Sequence, residues 1–143
     1  MSATGLDVFD KTLQTTNIWL KEIMQTVGPD RHRAYRVLRA VLHALRDRLT
    51  VDEVAHLGAQ MPLLVRGLYY DQWHPAGKPV RTRHLEEFLA QLAAELDDIG
   101  PINAEDAARA AFAVLEDHIA AGEIEDVKGM LPAQLRRLWP EEA

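Results

Sequence analysis

Apolar residues return along this chain every three or four positions, the period of an α-helix with one buried face. Leu6, Phe9, Leu13, Leu20, Ile23, Met24 and Val27 form one stripe that predicts a long first helix, with Trp19 at the edge of its core face. Thr4, three positions before Asp7, has the spacing of a cap at its start. Gly28-Pro29 ends it, because glycine accepts the left-handed cap and proline cannot continue the hydrogen-bond ladder. A second helix over residues 32–48 places Tyr35, Leu38, Val41, Leu42, Leu45 and Leu49 on its buried side. Thr50-Val51-Asp52-Glu53 has the Thr-x-x-Glu spacing of a capping box and opens a short third helix through Val54, Leu57 and Gly58. Pro62 fits the first turn of a fourth helix, which carries Leu64, Val65, Leu68 and Tyr69. From Asp71 to Arg81 two prolines and a glycine predict a loop.

The same order of events then recurs. A helix with Leu85, Phe88, Leu89, Leu92, Leu96 and Ile99 ends at Gly100-Pro101, and Asn103 caps a helix carrying Ala108, Ala111, Phe112, Leu115 and Ile119. A short helix covers Glu123 to Lys128, and Pro132 opens a last one through Leu135, Leu138 and Trp139. A shift of 70 positions lays residues 36–70 on 106–140 without a gap. Arg39 then falls on Arg109, Leu45 on Leu115, Glu53 on Glu123, Pro62 on Pro132 and Tyr69 on Trp139. The expected architecture is all-α: a compact helical bundle forming a single domain over 1–143. It is read as two related four-helix units, an internal repeat, at about 5–73 and 82–140, joined by a linker loop at 71–81.

The run Ala34-Tyr-Arg-Val-Leu-Arg-Ala-Val-Leu-His-Ala-Leu-Arg-Asp-Arg-Leu49 resembles the bacterial domain of unknown function 2267. So does His56-Leu-Gly-Ala-Gln-Met-Pro-Leu-Leu-Val-Arg-Gly-Leu-Tyr-Tyr-Asp-Gln-Trp73, followed by Gly77-Lys-Pro-Val-Arg81. The likeness runs from about residue 8 to 140, and the Gln-Met-Pro and Leu-Pro turns and Tyr-Tyr-Asp-x-Trp are its most specific parts. It implies a small, all-helical bacterial protein, and it brings neither an activity nor catalytic residues.

Composition narrows the class. The 143 residues include 16 Lys+Arg, 22 Asp+Glu, six His and no Cys, with a formal charge of −6. That length buries a core without disulfide or metal staples. No apolar run reaches the roughly 18–20 residues of a membrane span, the first residues lack the pattern of a signal peptide, and no cysteine ties the chain to an oxidising compartment. A cytoplasmic location without a membrane partner is expected. Residues 1–84 hold 12 basic and 8 acidic groups, and residues 85–143 hold 4 and 14. An acidic chain with no recognisable module is not expected to bind nucleic acid, whereas oppositely charged halves favour pairing within or between copies.

Candidate chemistry is thin. Ser2 is the only serine, so Ser- or Cys-based acyl transfer has no nucleophile. Glycine-rich phosphate loops and His-Glu-x-x-His are absent. His43 with Asp47, and Asp71 with His74 and His84, are the groups that invite a metal, yet neither has the Glu-x-x-His spacing of helical carboxylate centres. No metal and no cofactor are expected.

Two features remain. Arg36, Arg39, His43 and Arg46 project within a sector of about 80° opposite the leucine face of the second helix, and Arg31 and Arg33 precede them. Such a stripe suits phosphate or carboxylate; its plainer reading is a solvated cationic face that pairs with the acidic half. The second feature is the corner Tyr69-Tyr70-Asp71-Gln72-Trp73-His74. Tyr69 belongs to the core, while Tyr70 and Trp73 beside Asp71 and His74 suit a partner or a small pocket, or simply cover the seam between the units. The leading expectation is a non-enzymatic interaction or regulatory module that presents this charged surface to a protein partner or to itself. The alternative is a small anionic-ligand binder or enzyme built on Arg39, Arg46, Tyr70, Asp71, Trp73 and His74.

Overall fold

The helical period materialises as eight α-helices in a computed structural model that describes residues 2–81 and 84–141. They are α1 (Asp7–Val27), α2 (Arg31–Arg46), α3 (Val51–Ala59), α4 (Leu63–Tyr70), α5 (Leu85–Glu95), α6 (Ala104–His118), α7 (Ala121–Gly129) and α8 (Ala133–Arg136). A 3-10 turn over Asp97–Ile99 follows α5, and there is no strand among the described residues.

Local chemistry sets most boundaries. Asp30 accepts the His32 N–H at 2.9 Å to start α2, Thr50 Oγ1 accepts the Glu53 N–H at 3.3 Å to start α3, and Asn103 accepts the Asp106 N–H at 3.0 Å to start α6. Each satisfies one of the orphan donors of a helix N-terminus. Gly28 and Gly100, at φ +111° and +90°, occupy the left-handed region that the helix-ending Gly-Pro pairs require. Three expected starts differ. Pro62 and Pro132 stand at the capping position, one residue before their helices. At α1 the cap residue is Leu6, without a side-chain bond; Thr4 Oγ1 instead donates to Asp10 at 2.8 Å, so the reach-back comes from three positions deeper than Asp7.

The core is built on α2 and α6. α2 packs against α1, α4, α5 and α6, and Ala34, Ala40 and Ala44 join Val37, Leu38, Val41, Leu42 and Leu45 in its buried surface. α6 contributes Ala107, Ala108, Ala110, Ala111 and Phe112. Small residues on both helices let the backbones approach, and aromatic rings fill the remaining space. Phe112 stacks on Trp139 at 4.2 Å with planes 2° apart, and Phe88 follows at 6.0 Å. Trp19, at the edge of the α1 stripe, is buried as core and stacks on His118 at 5.3 Å. α3 packs against α4 and α7.

The long stripe of α1 is corrected by the structure. Leu20 and Ile23 are buried, whereas Leu6, Phe9 and Leu13 are exposed, and Tyr35 on α2 is exposed beside them. Buried positions on α1 begin only at Thr16. The helix outruns the elements it packs on, so the periodicity that predicts an apolar face continues past the point where a partner exists.

Candidate functional site

The cationic stripe of α2 faces the end of α4. α4 stops at Tyr70, leaving carbonyls without intrahelical donors. His43 Nε2 lies 2.8 Å from the Leu68 carbonyl, which only accepts, so the imidazole carries its proton there and donates. Arg46 Nη1 donates to the carbonyls of Tyr69 and of Asp71, the latter at 2.7 Å. Arg46 Nε also pairs with Asp47 at 3.3 Å. Positive groups at a helix C-terminus are favoured by the partial negative charge there. Arg39 completes the clamp, donating to Asp71 Oδ2 at 3.2 Å and to Gln72 Oε1 at 3.1 Å. Gln72 needs that support, since its φ of +62° is a conformation few side chains adopt. Arg36 turns the other way. Its guanidinium grips Asp98 at 2.8 and 3.2 Å and the Glu95 carbonyl at 2.8 Å, and the pairing holds the Asp98 carboxyl below the usual carboxylate range. Arg33 joins the two Gly-Pro turns, donating to the carbonyls of Val27 at 3.0 Å, Ile99 at 2.9 Å and Pro101.

Burial, reinforced by Arg46 and Arg39 on the same helix, pushes His43 below its ordinary range. The unfolded chain therefore takes up this proton first, near pH 6.5. Its contribution to stability is present above that value and is lost as pH falls through it toward the folded-state pKa. The wild-type Tm should fall relative to that of His43→Gln as pH drops from 7.5 to 5, a difference read in a pH series of thermal melts on both proteins.

The aromatic corner is likewise shaped by contacts within the chain. Tyr69 is buried and its hydroxyl donates to the Val54 carbonyl at 2.9 Å. Tyr70 lies flat on α3, where a Cβ at Gly58 would stand 2.6 Å from its hydroxyl and 2.9 Å from two ring carbons. Trp73 packs on Tyr70 at 5.7 Å, Asp71 faces Arg39, and His74 is exposed in the loop. The structure thus brings Arg39, Asp71 and the Arg46 guanidinium to one place and Tyr70 with Trp73 to its flank. It sends Arg36 toward α5. Gly58→Ala should lower stability by about 1–3 kcal/mol through overpacking, although alanine is the better helix former. Tyr70→Leu in the same background should recover part of the loss, read as coupling in a double-mutant cycle.

Beyond Asp71 lies a groove of about 640 Å³ between α1 and α4. Phe9, Leu13, Tyr35, Leu63, Leu64 and Leu68 line it. Phe9, Leu13, Leu63 and Leu64 are 46%, 40%, 47% and 44% exposed, an apolar surface spread over two helices. Thr12 fixes their spacing by accepting the Leu64 N–H at 2.9 Å. Gly67 forms part of the lining, and a Cβ there meets nothing within 4 Å. Sequence reasoning missed this groove because it assigned the whole α1 stripe to the core. The available signal was on α4, where Leu63, Leu64, Val65, Leu68 and Tyr69 are more apolar residues than one face of a short helix can bury.

At the other side of α3, Glu53 and Glu123 approach each other across the contact between α3 and α7. Burial together with the Glu53 carboxyl pushes Glu123 up to about 7. His56 Nδ1 stands 3.4 Å from Glu53 Oε2. A second cluster joins Glu22, Asp117 and His118, where His118 lies 2.9 Å from Glu22 and stacks on Trp19 at 5.3 Å. Among the described residues the clusters of metal-ligating atoms are these two. The expected candidates, His43 with Asp47 and Asp71 with His74 and His84, do not converge: His43 is spent on a carbonyl and Asp47 on Arg46. The Glu53-x-x-His56 spacing was present in the sequence but hidden behind the capping box.

No helix among the described residues is long and apolar enough to cross a membrane. A comparison with curated proteins finds no match. A family model described as an uncharacterized conserved protein, DUF2267, matches residues 16–138. That match spans α2 to α8 and the buried part of α1, and with it the clamp on α4, so the chain belongs to the DUF2267 family.

Proposed function

We propose that the protein is a non-enzymatic interaction module whose docking surface is the groove between α1 and α4, and that the groove takes an amphipathic helix. The observation that carries this reading is the exposure of Phe9, Leu13, Leu63 and Leu64 around one concave surface. Contiguous apolar exposure of this kind marks association surfaces, and helices enter such grooves with anchors at i, i+3 and i+7. The occupant is the first half of α1 from a second copy. Leu6, Phe9 and Leu13 have that spacing, are exposed, and precede the first buried position of their own helix. A two-fold pairing covers the unpartnered stripe and the groove together, as an isologous interface does.

The arginine stripe is the weaker surface for a partner or an anionic ligand. Arg46 is buried with donors on two carbonyls, and Arg39 faces a carboxylate. A site combining them with Tyr70, Trp73 and His74 would first have to release the end of α4. The duplication reading is part of the same proposal. Its support is that Val51 and Ala121 open α3 and α7, and Leu63 and Ala133 open α4 and α8, at the same separation of 70 residues. In the first unit the surface is α1 against α4, and the second unit has only the shorter α5 and the four-residue α8 for such a groove.

Sedimentation equilibrium over a concentration series tests the reading. Wild type should reach a dimer, and Gly67→Glu and Leu64→Asp should remain monomeric. Gly67→Glu leaves the fold intact, since a helical glycine replaced by glutamate gains up to about 1 kcal/mol of helix propensity. A wild type that stays monomeric at every concentration, or variants that still dimerise, would overturn it.

A further inference from the structure

The contact between α3 and α7 carries a feature that docking does not use. Glu53 and Glu123, each in the first turn of its helix, are only 3% and 8% exposed. Glu53 Oε1 and Glu123 Oε2 are sealed from solvent with no hydrogen-bond donor. Buried carboxylates are normally paired or bound to a metal. Here one ligand atom from each of Glu53, Glu123 and His56 lies within 4.8 Å of the others. Glu53 and His56 stand at i and i+3, so one face of α3 presents both, and the second carboxylate comes from the neighbouring helix. This division of donors is the one helical bundles use for transition metals.

The separation between His56 and Glu53 suits two ligands of one ion. His56 Nδ1 lies 3.4 Å from Glu53 Oε2, beyond the usual 2.7–3.2 Å of an N–H···O bond. With metal–ligand bonds of about 2.0–2.1 Å, the edge of a coordination tetrahedron is about 3.4 Å. The His56 side chain is 71% exposed and can turn to shorten the wider separations. Its exposure also leaves the outer side open to water. Two carboxylates balance a +2 charge, and Asp126 on α7 adds negative potential at Glu123. The imidazole selects against calcium and magnesium, which prefer all-oxygen shells, and favours first-row transition ions.

We propose that Glu53, His56 and Glu123 bind a divalent first-row transition cation that bridges α3 and α7. The site is separate from the groove, and neither proposal depends on the other. Metal-free, untagged protein titrated with Zn²⁺ or Mn²⁺ in a calorimeter should bind one ion with the three ligands named, and its Tm should rise with ion concentration. Mg²⁺ and Ca²⁺ should give no comparable rise. Glu123→Gln should abolish binding yet raise the Tm of the metal-free protein above pH 7, where the Glu123 carboxyl is ionised, because it removes a buried like charge and supplies a donor to Glu53. His56→Ala should weaken binding about tenfold or more and leave the metal-free Tm unchanged, a separation that a structural role alone would not give. His118→Ala should leave the affinity unaltered. Absence of binding by both ions would overturn the proposal. So would binding that survives Glu123→Gln and is lost with His118→Ala, which places the ion on the Glu22 surface cluster.

Discussion

Arg46→Leu should lower the unfolding free energy by about 3–5 kcal/mol, the loss typical of removing one member of a buried charged network. The side chain is 5% exposed and has three acceptors: the carbonyls of Tyr69 and Asp71 and the Asp47 carboxylate. Leucine fills part of the volume but leaves those oxygens without their donor, the Tyr69 carbonyl in a buried place and the other two at its half-buried rim. With a total stability of about 5–15 kcal/mol for a domain, the deficit should bring the Tm down by about 10 °C. It should also speed amide exchange at the end of α4 before the rest of the bundle. Arg36→Ala supplies the contrast. Its pair with Asp98 is solvent-facing, and such a pair contributes at most about 1 kcal/mol. Circular-dichroism melts of the two variants should therefore differ severalfold in effect, although both residues belong to one sequence stripe. Similar small losses for both would mean that α4 does not rely on the clamp.

Phe112→Ala should cost about 3–5 kcal/mol, the range for truncating a fully buried aromatic. The ring sits between Phe88 of α5 and Trp139 after α8, with the Trp139 contact stacked face to face. Its removal opens a cavity where α5, α6 and the end of the chain meet and deprives Trp139 of the partner that orients it. Stacked pairs add about 0.5–1.5 kcal/mol beyond the area buried, so this site should lie at the upper end of the range. The near-ultraviolet dichroism of Trp139 should weaken together with the Tm. A loss below about 1 kcal/mol would contradict the packing described.

What the sequence revealed followed the range of each interaction. Thr50, Asn103 and Gly28 act on neighbours one to three residues away, and the helix ends they predict are found, whereas α5 ends at Glu95, ahead of the 3-10 turn that leads into Gly100. The all-helical class followed from periodicity that holds over the whole chain. The stripe of α1 marked a difference between having an apolar face and burying it: Leu6, Phe9 and Leu13 continue the pattern, but no other helix covers them. The arginines were identifiable as a group, whereas their partners were not. The acceptors of His43 and Arg46 are backbone carbonyls some 25 residues away, atoms that every sequence possesses. Tyr70 looked available because nothing in the local pattern shows that Gly58 leaves it a flat bed. Glu53 was explained by the capping box, and that local explanation concealed its position opposite Glu123.

We propose that association uses the α1–α4 groove and not the arginine stripe. Methyl NMR spectra of the leucines, recorded as the wild-type protein is diluted, test it most directly. The resonances of Leu13, Leu63 and Leu64 should shift with concentration while the buried Leu38 and Leu42 stay fixed, and Gly67→Glu should abolish the shifts. Spectra that do not change with concentration, or changes confined to the surroundings of Arg36, Arg39 and Trp73, would contradict the account.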